Sequence, residues 1–428
     1  MKHKFRFIIG LLLFLAGMLN YLDRAALSVA APLVKKDLGI GDAEMGLLFS
    51  SFFLGYCIFC FVGGWAADRF GPRKTFAWAA GFWTLFCGLT AAMTSYVQLM
   101  VCRILFGVGE GPMGSTTNKT IANWFPREET GTAIGLTNAG QPLGAALAAP
   151  VVGLVAFHYG WRVSFVVIAA LGLLWLAAWW WLARDTPAEQ PKVSAQERQL
   201  IESSRARQVP LVEDDGRSLR HYILAQPVLA VAAAFFCFNY VLYFFLSWLP
   251  SYLTDYQHLD VKSMSIIGMI PWLGAAVGFI GGGFISDLLL RKTGNGVLAR
   301  KLVLSVGLGV SAVSVLLTTQ VSSMEAAVAL ITLSSLFVFM CPQACWALLQ
   351  ELVPASRVGA TGGFVHLLAN LAGLMAPSVT GFLIQYGGGY SAAFALSAGL
   401  AALGMLVVVF LVRQPGSGRT MSGRVARA

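Results

Sequence analysis

A chain of 428 residues with 57% hydrophobic and only 12% charged side chains, and a mean hydropathy of +0.71, is excluded from the soluble globular proteins, in which about a quarter of residues are charged. Its apolar residues come in runs of about twenty, the length a helix needs to cross a bilayer while satisfying its own backbone groups, whereas a membrane β-barrel would need alternating segments of about ten. The formal charge of +10 does not point to nucleic acid: with the N-terminus placed inside, 23 of the 30 Lys and Arg fall in cytoplasmic segments and 4 in external loops, the positive-inside bias that sets orientation.

Lys2, Lys4 and Arg6 precede the first run, which begins like a secretory leader. The run continues through Asn20 to Arg24 without a small-residue cleavage site, so it reads as a retained first span, about Phe5 to Ala31. Asn20-Tyr21-Leu22-Asp23-Arg24 lies inside that span. A central Asp or Arg costs roughly 2.5–3.5 kcal/mol on insertion scales and is tolerated where it faces a polar cavity or a partner. The plainer alternative is that the two charges neutralise each other or snorkel at a helix end. Lys35, Lys36 and Asp37 are expected in the loop that follows.

Span 2, about Glu44 to Ala67, carries Tyr56 and leads into Gly64-Trp-Ala-Ala-Asp68-Arg69-Phe-Gly71-Pro-Arg73-Lys74. Gly suits the tight turn, and Asp68 is placed to accept bonds from a neighbouring helix N-terminus. Span 3 runs from about Thr75 to Thr94 and span 4 from about Val97 to Ala122. Arg103 and Glu110 lie on one face of span 4, about 10 Å apart along the axis, so each needs a partner from elsewhere. Asp23 and Arg24 are the candidates, and Lys119 reaches the inner end of the span. Span 5, about Thr130 to Phe157, holds Asn138, Gln141 and Pro142 among glycines that permit close helix approach. Span 6 covers about Trp161 to Ala183.

Residues 184–221 form the one long polar segment, read as a cytoplasmic linker with a surface helix over Ser194 to Arg207 and no binding role. Six further spans follow, about Gln226–Pro250, Ser263–Ser286, Leu302–Gln320, Glu325–Leu349, Gly359–Tyr386 and Ser391–Val412. Gly283 to Lys292 repeats the pattern of Gly64 to Lys74, and Glu351 to Arg357 that of Trp124 to Glu129. The organisation expected is therefore a six-plus-six repeat: a bundle over 1–183, the linker 184–221, a second bundle over 222–412 and a cytoplasmic tail 413–428. Substrate in such repeats sits at the midplane between halves.

Charge at depth occurs only in the first half. The second half offers Asn239, Tyr240 and Tyr243 in span 7, Gln343 and Trp346 in span 10, and His366 and Asn370 in span 11. Guanidinium holds a carboxylate in two parallel bonds and keeps its proton, which suits an anionic solute. Burial disfavours an ionised carboxyl and a nearby guanidinium favours it, so arrival of an anion at the base can switch proton affinity. Tyr56, Tyr240 and Tyr243 serve packing as readily as recognition, and His366 suits an interhelical hydrogen bond more than a relay. The seven cysteines lie in apolar runs, Cys57 and Cys60 included, which reads as packing and not as a redox or zinc motif.

Asn20 to Arg24, Phe49 to Tyr56, Arg103 to Pro112, Asn123 to Pro126, Gly362-Gly363 and Asn370 to Gly373 together resemble the anion:cation symporter family of the major facilitator superfamily, over nearly the whole chain. Its bacterial members carry galactonate, glucarate and hexuronate. The resemblance implies an all-helical membrane fold of twelve spans in two halves, proton coupling at Asp23 and Glu110, substrate-carboxylate contact at Arg24, and a partnership of Arg103 with the acids. It also implies substrate contact at Tyr21, Tyr56 and Gln141 and a conformational latch at Gly64, Asp68, Arg69, Gly71, Arg73 and Lys74. Gln343 and His366 depart from the galactonate-carrier pattern. The protein expected is a monomeric, multi-pass transporter of the bacterial inner membrane with both termini cytoplasmic. It would be no enzyme, would need no cofactor beyond protons, and would bring in a small organic anion, a sugar acid foremost, the alternatives being a proton-independent anion exchanger or import of an aromatic or dicarboxylic acid.

Overall fold

The computed structural model describes residues 5–206 and 218–412. The tail 413–428 and residues 207–217 of the linker lie outside the described residues. Eleven helices among those described are long and apolar enough to cross a membrane. The remaining crossing, span 4, is made in two pieces, Tyr96–Glu110 and Met113–Trp124. An unbroken span was expected there. Pro112 lacks a backbone N–H and crowds the preceding turn, so the helix is interrupted at Gly111-Pro112, directly after Glu110.

Span 1 is longer than its apolar run, Arg6–Leu38, and closes on Gly39 in the left-handed region at φ 65°. Lys35, Lys36 and Asp37 are thus helical and not in a loop. Lys35 belongs there because its ammonium lies 2.8 Å from Asp42 of span 2 and 2.7 Å from Asp255 of span 7. Span 7, Gln226–Tyr256, likewise runs past the expected end.

Spans 1 and 5 pack tightly, as do spans 2 and 4 (Asp42–Phe70 against Tyr96–Glu110). Across the halves, span 2 lies along span 11 (Arg357–Tyr386) and span 1 against span 7. The approach is close at Gly46, where a Cβ would meet the Pro377 carbonyl oxygen at 2.5 Å. Polar bonds between the halves gather at the Lys35 end: Lys35 to Asp255, the Ala43 N–H to Gln385 at 2.7 Å, and Ser378 to Ser50 at 2.6 Å. Toward the other end, span 2 becomes progressively exposed, with Ile58 and Phe61 uncovered. The halves are joined at the Lys35 end. Asp255→Asn should therefore shift the protein toward the state open at that end. A part-exposed ion pair is worth about 0.5–1 kcal/mol, up to about fivefold in the ratio of states. Spin labels placed on the two halves near Lys35 and Asp255 would read this as a larger long-distance population, and an unchanged distribution would remove the bridge from the equilibrium.

At the opposite end the Gly64–Lys74 turn is built differently from expectation. Gly71 turns the chain at φ 84°, but it is Asp185, not Asp68, that accepts the N–H of Arg73 at the start of span 3, at 2.8 Å. Asp68 instead meets Lys119 at 2.7 Å, a pair largely in solvent and so of small energetic weight. Arg73 donates to the Trp180 carbonyl and lies over the Trp180 ring. Gly64 faces Ser115 of span 4.

The linker helix Ala195–Ala206 is a working part of the first half. Glu197 is buried and accepts from the Phe5 and Arg6 backbone N–H groups at 2.9 and 3.2 Å and from the Arg6 guanidinium at 3.3 Å. Arg6 also pairs with Glu129 at 2.9 Å. The free N–H groups at the start of span 1 are thereby satisfied by a charge of favourable sign. Glu197→Ala should lower the unfolding temperature through about 1–3 kcal/mol, moderated because Arg6 keeps Glu129. A melting curve matching wild type would return this helix to the solvent-exposed reading.

Candidate functional site

Asp23, Arg24, Arg103 and Glu110 are all buried, at 3%, 7%, 5% and 0% exposure, so the charges placed at depth by the sequence stay there in the fold. Span 1 and the first piece of span 4 bring Arg24 Nε to 2.5 Å from Glu110 Oε2. That pairing was one of those open in the sequence. Asp23 lies near Arg103, Arg24 and Glu110, while its Oδ1 and Arg103 Nε find no hydrogen-bond partner in the protein. A buried ion pair is costly to assemble, and breaking one by removing a single partner costs about 3–5 kcal/mol. Glu110 therefore holds Arg24 firmly until something replaces it.

Aromatic rings supply the rest of the surroundings. The Arg24 guanidinium carbon lies 5.3, 4.9 and 4.4 Å from the ring centres of Tyr21, Phe52 and Tyr56, and that of Arg103 lies 5.2 and 4.9 Å from Phe52 and Phe106. Desolvated cation–π contacts of this kind are worth about 2 kcal/mol. They hold both cations without consuming all their N–H donors. Phe52 was not singled out in the sequence, although it sits four residues before Tyr56 and so on the same helical face.

Arg24 and Arg103 also share a small cavity with Ser28, Phe53, Tyr243 and Ser247. Its volume of about 20 Å³ suffices for a single water. Tyr243 closes it from the second half, packing on Phe53 at 4.6 Å and donating to Asn370 Oδ1 at 2.9 Å. Asn370 in turn donates to the His366 carbonyl at 2.8 Å and meets its ring nitrogen. His366 lies against Trp346 and Phe235, and Asn239 bonds the Ala369 carbonyl. The structure thus gathers Tyr21, Asp23, Arg24, Tyr56, Arg103 and Glu110 with Tyr243, and chains Tyr243 to Asn370, His366 and Trp346. Gln141 stands apart, beside Asn138 at 3.5 Å and near Gly17 of span 1. Gln343 has its amide oxygen buried without a protein partner. Tyr240 does not join the group around Arg24: its ring packs on Phe236 within its own span.

The model of the Major Facilitator Superfamily matches residues 13–298 and 295–425. The chain belongs to the major facilitator superfamily. As a member it is a multi-pass membrane transporter and not an enzyme. It is 44% identical to the hexuronate transporter of Bacillus subtilis (strain 168), over 94% of each chain. It is 32% identical to the probable sulfoacetate transporter SauU of Cupriavidus necator, over 96% of this chain and 94% of that one. Among solved structures, a bacterial homolog of the human lysosomal transporter Spinster, in an inward-facing and occupied conformation, superposes with a TM-score of 0.77, at 17% identity over 97% of this chain and 98% of that one. That likeness concerns the superfamily fold.

Proposed function

We propose that this superfamily member is a proton-coupled symporter that brings a sugar acid, a hexuronate foremost, across the bacterial inner membrane by alternating access. The observation that carries the reading is the pair of buried guanidiniums, Arg24 and Arg103, facing one cavity between the halves, with Arg24 tied to Glu110 and Asp23 alongside. The likeness to a hexuronate transporter gives the class of solute its weight.

In this reading both termini and the Arg73 end are cytoplasmic, 1–183 and 222–412 are the rocking bodies, and the protein acts as a monomer. The state described here, joined at the Lys35 end, is then one closed to the outside. In the outward-open state protons neutralise Glu110 and Asp23. Glu110 lets go of Arg24, which takes the substrate carboxylate in a bidentate pair. The chain Tyr243, Asn370, His366, with Trp346 and Gln343, meets the neutral hydroxyl-bearing end. The halves then rock, and on the inner side loss of the protons returns Glu110 to Arg24 and expels the anion.

Uptake of labelled D-glucuronate and D-galacturonate into proteoliposomes under an imposed inward proton gradient tests this. Accumulation several times above the no-gradient level is expected. Exchange of uronate at equal rates with and without the gradient would instead make it a proton-independent exchanger, and transport of sulfoacetate but of neither uronate would move the solute class.

A further inference from the structure

Asn20 has no part in the cycle above, yet it is as deeply buried as the charged residues of the opening motif. It is 1% exposed, and neither its amide nitrogen nor its oxygen closes a well-formed hydrogen bond to a protein atom, although the amide lies beside the Glu110 carboxyl. Asp23 Oδ1, Glu110 Oε1 and Arg103 Nε are buried in the same condition. An unpaired buried polar group costs about 1–3 kcal/mol, and about nine in ten such groups in native interiors bond protein or ordered water. Four side chains of spans 1 and 4 with spare bonding capacity, beside the Arg24–Glu110 pair, thus make one polar locus. Asn20 precedes Asp23 by three residues and Arg24 by four, so the three share a face of span 1. An amide donates and accepts at once, which an ionised carboxylate cannot do.

We propose that Asn20 is a positioning residue for proton coupling, holding an ordered water between Asp23 and Glu110 through which the two acids exchange a proton. The step moves one proton. The O–H of protonated Asp23 breaks, the bridging water takes that hydrogen and yields another, and an O–H forms on Glu110, with no change in total charge. The groups facing this locus are Tyr21 and Arg24 of span 1, Tyr56 and Cys60 of span 2, Cys87 of span 3 and Arg103 of span 4. Tyr243 and His366 of the second half lie near Arg24. Arg24 and Arg103 keep their protons, while Asp23 and Glu110 are the carboxyl groups of the locus and each has a buried oxygen with no protein partner, so the relay connects these two.

The inference rests on the proton-symport reading of the same site. Its test compares wild type, Asn20→Leu and Asn20→Ser in proteoliposomes by two rates, gradient-driven accumulation of D-glucuronate and its counterflow at equal pH. Their ratio does not depend on how much protein is folded. The ratio should fall about tenfold or more in Asn20→Leu, which removes the bridge, with counterflow preserved within about twofold. Asn20→Ser, which keeps a donor and acceptor, should recover much of it. An unchanged ratio in Asn20→Leu overturns the inference, as does an equal fall in Asn20→Ser and Asn20→Leu. Should Asn20→Leu not fold, Asn20→Ala is read by the same ratio and the same criteria. Wild-type protein that ignores the gradient overturns the symport reading itself and this inference with it. A wild type that responds, beside a variant whose ratio is unchanged, overturns only the role of Asn20.

Discussion

Arg24→Gln should yield a folded transporter that binds and exchanges almost no uronate. Removing one partner of a buried charge pair costs about 2–5 kcal/mol in binding, which corresponds to a loss of affinity of about 30-fold to several thousandfold. Arg24→Lys separates charge from shape. It keeps the cation but gives up the planar fork and the stacking on Tyr21, Phe52 and Tyr56, and lysine is no equivalent at a bidentate, stacked site. An affinity about tenfold weaker than wild type is expected for it. The measurement is the concentration dependence of counterflow, with size-exclusion profiles checking that the protein is intact. A lysine variant with wild-type affinity would mean that the carboxylate sees only a point charge there.

Glu110→Gln should uncouple transport from the proton gradient while sparing exchange. In the mechanism proposed above the Glu110 carboxylate, 2.5 Å from Arg24 Nε, competes with the substrate for the same guanidinium. Protonation removes the competitor. Wild-type affinity for uronate should therefore rise as pH falls, and Glu110→Gln should show the high-affinity behaviour at every pH, because its amide is permanently uncharged. Accumulation above equilibrium should vanish in the variant, with counterflow retained. Normal accumulation by Glu110→Gln would take Glu110 out of the coupling and leave Asp23 as the carrier. A pH-dependent affinity surviving in the variant would separate competition for Arg24 from the proton on Glu110.

Much of this was legible in the sequence because bilayer insertion writes a strong one-dimensional signal. Span number, the repeat of Gly64–Lys74 at Gly283–Lys292 and the depth of Asp23, Arg24, Arg103 and Glu110 all follow from counting apolar residues between charges. The departures fall where a third dimension decides. Span 1 runs on to Leu38 because Lys35 has Asp42 and Asp255 to meet, and hydropathy sees only a charge. Which of two acids Arg24 would choose depends on the azimuth of span 4, which no spacing within span 1 reveals. Glu197 looked like a solvated residue of a polar segment, and its burial against Arg6 comes from a contact 191 residues away. Tyr240 and Tyr243 are three apart and share a face of span 7, yet only Tyr243 reaches the cavity beside Arg24, since Tyr240 sits nearly a turn further along the axis. The break in span 4 was the exception: Gly111-Pro112 was visible, and the proline itself carried the information.

Lys35 has one further consequence, for turnover. It sits between a carboxylate of its own half, Asp42, and one of the opposite half, Asp255. When the halves part at that end, the ammonium exchanges two anionic neighbours for one and is never left bare. Parting would therefore cost one part-exposed ion pair, about 0.5–1 kcal/mol, with Asp42 still beside the ammonium. In the alternating-access cycle proposed above, this contact would add little to the barrier of the return leg.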